Sequence, residues 1–511
     1  MRASSSRLWL QVPAAVVAGL VLLPIIVIAA SAVSVGAGEA ADYLLRPRIG
    51  RLLGNTALLM LFTVPLAVVI GVAAAWLVER TDLPGAPVWR GLMLAPLAVP
   101  AFVASYAWIS WQPGLVGLEG AVLVTVLSYF PFVFLPVAAL LRALDSGEEE
   151  AARSLGLGPV AAFHRTVLPR LRPAVSGGAL LVALHILAEY GVLEMMRFQT
   201  FTTAILQQYA VGFNDARGSL LASVLLLLCL MVLTLEVVVR GRRRVSRLGA
   251  GTMQPPVPLP LGRWKAPALV GLTLLVGLSV VVPVALVIRW LVAGSSQSGA
   301  VADDLLQVTA ATVGLAFLGG LVAVLLALPG ALLISRVGGR LATLLERATF
   351  VGSALPGVVV ALALVGLTVA LVPGLYQTPV LLVGAYAILF LPRAMVNLRS
   401  GFAAAPPELS EAARSLGHQG PGVLARVVLP LAMPSVLAGF VLVALAISTE
   451  LTATLLLAPT GTNTLALAFW AASDELDYAA AAPYAALMIV LSVPLTVLLR
   501  RQITHERRVR R

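Results

Sequence analysis

Residues 148–175 read EEEAARSLGLGPVAAFHRTVLPRLRPAV, and residues 409–436 read LSEAARSLGHQGPGVLARVVLPLAMPSV. The two stretches share one register. Glu150 and Glu411 are each followed three residues later by an arginine, Arg153 and Arg414, a spacing that pairs them on a helix. A glutamate near a helix start also sits well against the unpaired amides there. Gly156 and Gly417 come next and permit a bend that a side chain would resist. Pro159 and Pro421 stand near the first turn of a second short helix, which Leu168-Pro169 and Leu429-Pro430 are expected to end. The spacing predicts one compact, proline-bounded helix-turn-helix, made twice.

These polar islands interrupt a very apolar chain. Of its 511 residues, 60% are hydrophobic and 11% charged, and the mean hydropathy is +0.98. A soluble domain carries about 25% charged residues, so the main solvent of this chain is lipid. The net charge is +12, and every basic residue but Lys265 is arginine. The arginines gather in short segments beside apolar runs, which points to membrane orientation rather than nucleic acid. Cys229 is the one cysteine and lies in an apolar run, which excludes a disulfide framework and a thiolate metal site.

A bilayer core about 30 Å thick needs about 20 apolar residues per helix. Such runs lie near 13–35, 56–78, 91–111, 120–141, 174–194 and 218–240, and again near 267–293, 309–335, 348–372, 376–396, 435–458 and 482–500. The expectation is an all-α membrane protein of about 12 transmembrane helices. The first run follows Arg2 and Arg7 as a secretory signal would, but it is longer than the usual apolar stretch of about 7–15 residues and reads as a span. Arg153, Arg165, Arg170 and Arg172 follow span four; RGRRRVSR (240–247), Arg263 and Lys265 follow span six. Arg399, Arg414 and Arg426 follow span ten, and RRQITHERRVRR ends the chain. Segments 112–119, 292–308 and 459–481 hold no Lys or Arg. Both termini and the linker 241–266 are therefore expected inside. Segment 36–55 disagrees, with Arg46, Arg48 and Arg51, and reads as an interfacial helix.

The chain is duplicated. A shift of 261 residues lays Pro131 on Pro392, Glu150 on Glu411, Pro169 on Pro430, Pro173 on Pro434 and Glu189 on Glu450. Earlier the shift is 256, with LAVP (97–100) over SALP (353–356). Each half has an even number of spans, so the repeats are parallel. The expected division is 1–240, a cytoplasmic linker 241–266 rich in Pro and Gly, and 267–511.

EAARSLGLGPVAAFHRTVLP and EAARSLGHQGPGVLARVVLP resemble the EAA–Gly–Leu-Pro signature of ABC importer permeases, with 19 residues from Glu to Pro in each copy. The resemblance implies the type I (MetI-like) permease fold and makes each hairpin a coupling helix docked on a cytoplasmic ATPase. Glu150, Ala151, Gly156, Leu168 and Pro169, with Glu411, Ala412, Gly417, Leu429 and Pro430, carry over by position as coupling residues. The chain has no Gly-x-x-x-x-Gly-Lys-Ser/Thr loop. It is therefore expected to be no enzyme, to bind no cofactor, and to borrow ATP hydrolysis from two copies of an ATPase subunit. A separate extracytoplasmic binding protein is expected to deliver cargo to this permease of the bacterial inner membrane. The fused arrangement, with AEYGVLEMMRFQTFTTAI (188–205) and TELTATLLLAPTGTNTLA (449–466), is similar to ferric-iron importer permeases. Thiamine, polyamine and phosphonate permeases share the coupling loops, and an ion-coupled secondary carrier shares the twelve-span topology.

Glu189 and Glu450 occupy equivalent places toward the outer side of spans five and eleven. A carboxylate in an apolar span is costly and marks a pathway or a structural pair. Two of them offer hard oxygen donors to a trivalent metal; alternatively each pairs with a neighbour at a helix end. Glu194 aligns with Leu455 and His185 with Ala446, so no symmetric acid ring is expected. Met195 and Met196 read as packing residues, and no firm metal site is expected.

Overall fold

The computed structural model describes residues 5–144, 147–212, 215–240, 258–294, 298–418 and 420–505. Among them, nine helices are long and apolar enough to cross a bilayer: Leu10–Ser34, Pro47–Arg80, Gly117–Ala143, Phe163–Ala188, Arg217–Val239, Gly262–Gly294, Asp304–Val337, Pro379–Ala403 and Leu424–Ser448. Two further spans are broken. Ala86–Ala98 meets Ala101–Trp111 at 84°, and Arg340–Gly352 meets Gly357–Leu371 at 106°, which brings the number to eleven. The run expected near 482–500 is the shorter apolar helix Tyr478–Pro494 within Tyr478–His505.

The two breaks fall on LAVP and SALP, the motif pair that aligns at a shift of 256. A residue before proline is driven out of the helical region by the proline ring. Val99 is accordingly extended at φ −101°, ψ 110°, and Pro100 follows at ψ 138°. Pro356 is extended likewise at φ −65°, ψ 146°. The straight spans expected at 91–111 and 348–372 are thus bent pairs.

The chain divides into two compact units. One comprises Pro47–Thr203, Leu228–Ala293 and Ser492–Arg511; the other comprises Met1–Arg46, Ala204–Leu227 and Gly294–Leu491. The helix Ser5–Ser34 therefore belongs to the unit that holds most of the second repeat. Residues 241–257 of the expected linker lie outside the described residues.

Lipid tails are as apolar as leucine, so helices in a bilayer associate through close packing of small residues and interhelical hydrogen bonds. In the first unit Val133 is gripped on two sides. A Cβ on Gly71 would stand 2.7 Å from Val133 Cβ, and one on Gly178 2.8 Å from Val133 Cα. The Thr63 and Thr125 hydroxyls hydrogen-bond at 3.1 Å between helices. In the second unit a Cβ on Gly319 would stand 2.9 Å from Ile447 Cδ1, and one on Gly352 would overlap Val21 of the first helix.

Two further details of the sequence reading change. Segment 36–55 is a short helix, Ala37–Leu44, and the following helix starts at Pro47, so Arg48 and Arg51 lie in its first turns. The spans expected at 174–194 and 435–458 end at Ala188 and Ser448 and begin earlier, at Phe163 and Leu424.

The described end of the linker is pinned. Leu259 N donates to Arg80 O at 2.9 Å, Asp82 N donates to Leu259 O at 3.1 Å, and Thr81 and Leu259 form an isolated parallel bridge. The Asp82 carboxylate accepts from Leu261 N at 2.8 Å and lies 2.7 Å from Lys265 Nζ. The Lys265 hydrogen bond, and then that of Leu261 N–H, hold this carboxyl below its ordinary pKa.

Candidate functional site

Each hairpin opens on a short helix, Gly147–Ser154 or Pro407–Ser415. Both close by one hydrogen-bond scheme. Gly156 N donates to Arg153 O at 3.0 Å and Leu157 N to Ala152 O at 3.2 Å; Gly417 N donates to Arg414 O at 3.0 Å and His418 N to Ala413 O at 3.1 Å. Such a closure places its glycine in the left-handed region, and Gly156 and Gly417 have φ +89° and +87°. The serines of the two EAARSLG sequences also match, Ser154 Oγ donating to Ala151 O and Ser415 Oγ to Ala412 O.

The closure decides which side chains face outward. Ala152 and Ala413 are buried; Ala151, Ala412, Glu411, Arg153 and Arg414 are exposed. The Glu150 side chain lies outside what the structure describes. At the apex stand two side chains that sequence reasoning passed over, Leu155 and Leu416, 86% and 80% exposed. Two large apolar side chains thus stand out at matching turns of the two hairpins. The signal was present in EAARSLG, but a leucine beside a glycine reads as core until the turn is known.

After the turn, Pro159–Ala162 and Gly420–Val423 lead into π turns at Phe163–Val167 and Leu424–Val428. The long helices Leu168–Ala188 and Leu429–Ser448 follow without interruption. Leu-Pro therefore does not end a helix, contrary to the sequence expectation. A proline inside a helix lacks an N–H and crowds the carbonyl four residues before it. The widened π turn lies over that carbonyl in both copies, at Arg165 and at Arg426. Leu168 and Leu429 are half-buried, whereas Pro169 and Pro430 are exposed.

An arginine anchors each hairpin to its own unit. Arg80, ending the helix Pro47–Arg80, lies 3.1 Å from the Glu149 carboxylate, with both side chains at most 10% exposed. Arg336 stands 256 residues after Arg80, and its Nη2 donates to Ala405 O at 2.8 Å, just before the second hairpin. The aligned position of Glu149 is Ser410, also buried. The sequence reading chose Glu150 from EEE and missed that its neighbour makes the buried ion pair.

Glu189 and Glu450 stand at the breaks that end spans five and eleven. Glu189 Oε1 accepts from Val192 N at 3.0 Å, and Tyr129 Oη donates to Oε2. Glu450 accepts from Ala453 N at 2.9 Å, Thr454 N at 3.0 Å and Thr454 Oγ1 at 2.7 Å, while Tyr386 Oη meets Thr454 Oγ1 at 2.7 Å. Each carboxylate receives the free amides of the short helix that follows, Gly191–Met195 or Thr452–Leu457. His185 Nδ1 lies 2.7 Å from Leu181 O of its own helix. Met195 Sδ accepts from Ser105 Oγ at 3.2 Å, and Met196 is buried. Among the described residues no three His, Cys, Asp or Glu side chains gather as a metal site.

Residues 67–245 and 319–511 match the family described as binding-protein-dependent transport system inner membrane component. The chain belongs to this family. The permease is 35% identical over 472 residues to the Fe(3+)-transport system permease protein FbpB 2 of Haemophilus influenzae, covering 92% of this chain and 93% of that protein. The sulfate transport system permease protein CysW of Escherichia coli is 26% identical over 243 residues, 44% of this chain and 84% of that protein. A probable sulfate transport system permease protein, cysT, of Helicosporidium is 27% identical over 204 residues, 36% and 76%. The permease is thus the multi-pass inner-membrane component of an ABC importer, a transport subunit rather than an enzyme.

Proposed function

We propose that this permease serves ferric-iron uptake, receiving its cargo from an extracytoplasmic binding protein and releasing it to the cytoplasm by alternating access. Two copies of a cytoplasmic ATPase subunit dock on the two hairpins, both chain termini lie inside, and the permease itself binds neither ATP nor another cofactor. The observation that carries the coupling role is the hairpin's duplication down to its hydrogen bonds, with Leu155 and Leu416 exposed at the same place. Arginine-rich inner segments support the orientation. Similarity along nearly the full length of the Haemophilus influenzae Fe(3+) permease supports iron, whereas each sulfate permease aligns over less than half of this chain.

In the transport cycle, ATP binding draws the ATPase subunits together, the hairpins move with them, and the spans rigidly joined to the hairpins carry that motion into the bilayer. Continuity through the π turns suits that task, because Leu168–Ala188 and Leu429–Ser448 start where the hairpins end. At their far ends stand Glu189 and Glu450, which we assign to the translocation pathway, where they also hold the helix breaks.

The test pairs Leu155→Asp with Leu416→Asp in the full chain, co-expressed with its ATPase. Each single change should lower binding-protein-stimulated ATP hydrolysis and iron uptake roughly 10-fold or more, the loss of one apolar anchor of about 2 kcal/mol. The double variant should fail to co-purify with the ATPase while keeping the thermal stability of the permease. Normal co-purification and uptake in the double variant would refute the coupling role.

A further inference from the structure

The arginines of segment 36–55 oppose the charge pattern expected of an outward segment. Arg48 and Arg51 lie in the first turns of the helix Pro47–Arg80, whose first turn holds no acid. The unpaired amides of a helix start favour acids over bases, so the helix itself does not call for them. Arg80, at the other end of the same helix, holds the first hairpin through Glu149. At 1.5 Å per residue Arg48 stands about 48 Å from Arg80, more than the thickness of a bilayer core of about 30 Å. The two arginines therefore lie on the membrane face opposite the hairpin.

A third arginine joins them. The helix Gly191–Met195 closes with Arg197 N donating to Glu194 O at 2.9 Å and Phe198 N to Leu193 O at 2.8 Å. This is the scheme that ends the hairpin helices, where a glycine takes the left-handed position. Here that position holds Arg197 at φ +52°, a strained conformation for a residue with a Cβ. Asn55 donates from Nδ2 to Gln199 O at 2.9 Å. Arg48, Arg51 and Asn55 share a face of their helix, at i, i+3 and i+7, so that bond brings Arg197 to the same end. All three arginines are exposed, and none makes an ion pair among the described residues. Glu119 is exposed nearby, where Gly117 N donates to Met196 O at 2.6 Å, and Glu194 is half-buried, so exposed cations outnumber exposed acids on these elements.

The second repeat does not copy this charge. The shift of 256 residues that lays buried Thr56 on buried Thr312 puts Asp304 at Arg48 and Gln307 at Arg51. Asp304 is exposed and accepts from Tyr484 Oη. The shift of 261 puts Ala458 at Arg197, and Ala458 is extended at φ −61°, ψ 131°. The fold therefore forms without these arginines. Anionic lipid surrounds both repeats alike and would favour a base in each, whereas a partner with an uneven charge distribution tells them apart. We infer that Arg48, Arg51 and Arg197 dock an acidic patch of the extracytoplasmic binding protein. That this end faces outward rests on the function proposed above; the clustering of the three cations does not.

The experiment places the full permease with its ATPase in nanodiscs and titrates the binding protein against the rate of ATP hydrolysis. Arg48→Gln, Arg51→Gln and Arg197→Gln together should raise the half-saturating concentration roughly 10-fold, about 2-fold for each exposed charge pair. The rate at saturation should stay within about 2-fold of the parent, a split that a merely structural role would not produce. Raising salt from about 50 to about 500 mM should weaken docking of the parent and leave the variant nearly unchanged, because contacts between exposed charges are screened. An unchanged half-saturating concentration in the triple variant overturns the inference. So does a defect that vanishes in nanodiscs of zwitterionic lipid alone, which would make the arginines a lipid contact. Should the triple variant fail to assemble, Arg48→Gln with Arg197→Gly decides, since glycine keeps the turn without the guanidinium; a half-saturating concentration equal to the parent's counts against docking. Labelling of Arg197→Cys by a membrane-impermeant maleimide in sealed vesicles, with Cys229 buried, separates the two readings. Labelling from the hairpin side alone would defeat the proposed orientation itself, whereas labelling from the opposite side with unchanged half-saturation would defeat only the docking assignment.

Discussion

At the scale of single residues, the decisive groups are polar ones whose partners lie far away in sequence. Arg80 and Glu149 are both nearly inaccessible and 3.1 Å apart. Removing one member of a buried pair strands the other charge, at a cost of about 3–5 kcal/mol, whereas replacing both by apolar groups of similar size is close to neutral. Glu149→Ala is therefore expected to lower the apparent Tm of the detergent-solubilised permease and to expose the first hairpin to protease. Arg80→Met with Glu149→Met should restore most of both. Equal losses in the single and double variants would show that the pair does not anchor the hairpin. Nothing in EEEAARS told Glu149 from Glu150, because burial here depends on where the helix Pro47–Arg80 ends.

At the scale of elements, what was legible depended on how local the controlling physics is. The hairpins were readable because glycine, serine and the paired alanines act within a few residues of one another. Gly156→Ala or Gly417→Ala should each cost about 1–2 kcal/mol, since φ near +90° crowds a Cβ; the check is slower ATP hydrolysis at unchanged permease assembly. The fate of Leu-Pro was not readable, because a proline ends a helix or rides a π turn according to the packing on either side. The breaks at LAVP and SALP had a local cause in the proline, but an apolar run of sufficient length masked it. The strap at 258–265 was hidden for another reason, since Asp82 meets Lys265 and Leu261 across the whole first repeat. Its carboxyl is held below the ordinary pKa, so the contribution is present above the unfolded pKa and is lost as pH falls through the folded one. The protection of amides over 258–265, relative to their intrinsic exchange rates at each pH, should therefore fall below about pH 4. Asp82→Asn should show that lower protection already at neutral pH, with no further fall on acidification.

At the scale of the whole molecule, repeats in sequence and units in space are different divisions. The repeats follow gene order, but each compact unit takes segments from both. One unit needs Pro47–Thr203 together with Leu228–Ala293, and the other needs Met1–Arg46 and Ala204–Leu227 together with Gly294–Leu491. The latter is held by contacts that a cut at the linker leaves intact, such as Gly352 on Val21 and the hydroxyl pair of Tyr209 and Tyr376 at 2.8 Å. Such contacts should hold without covalent continuity between the two halves of the chain. Two polypeptides, 1–250 and 251–511, produced together should co-purify through a tag on either one and support uptake within about 3-fold of the intact chain, a difference of less than 1 kcal/mol. Produced separately, each fragment should aggregate or be degraded, because it would expose the close-packed small-residue surfaces that the other normally fills. Independent folding of the two fragments, with no co-purification, would mean that the sequence repeats are the true structural units and that the exchange of first helices contributes little to stability.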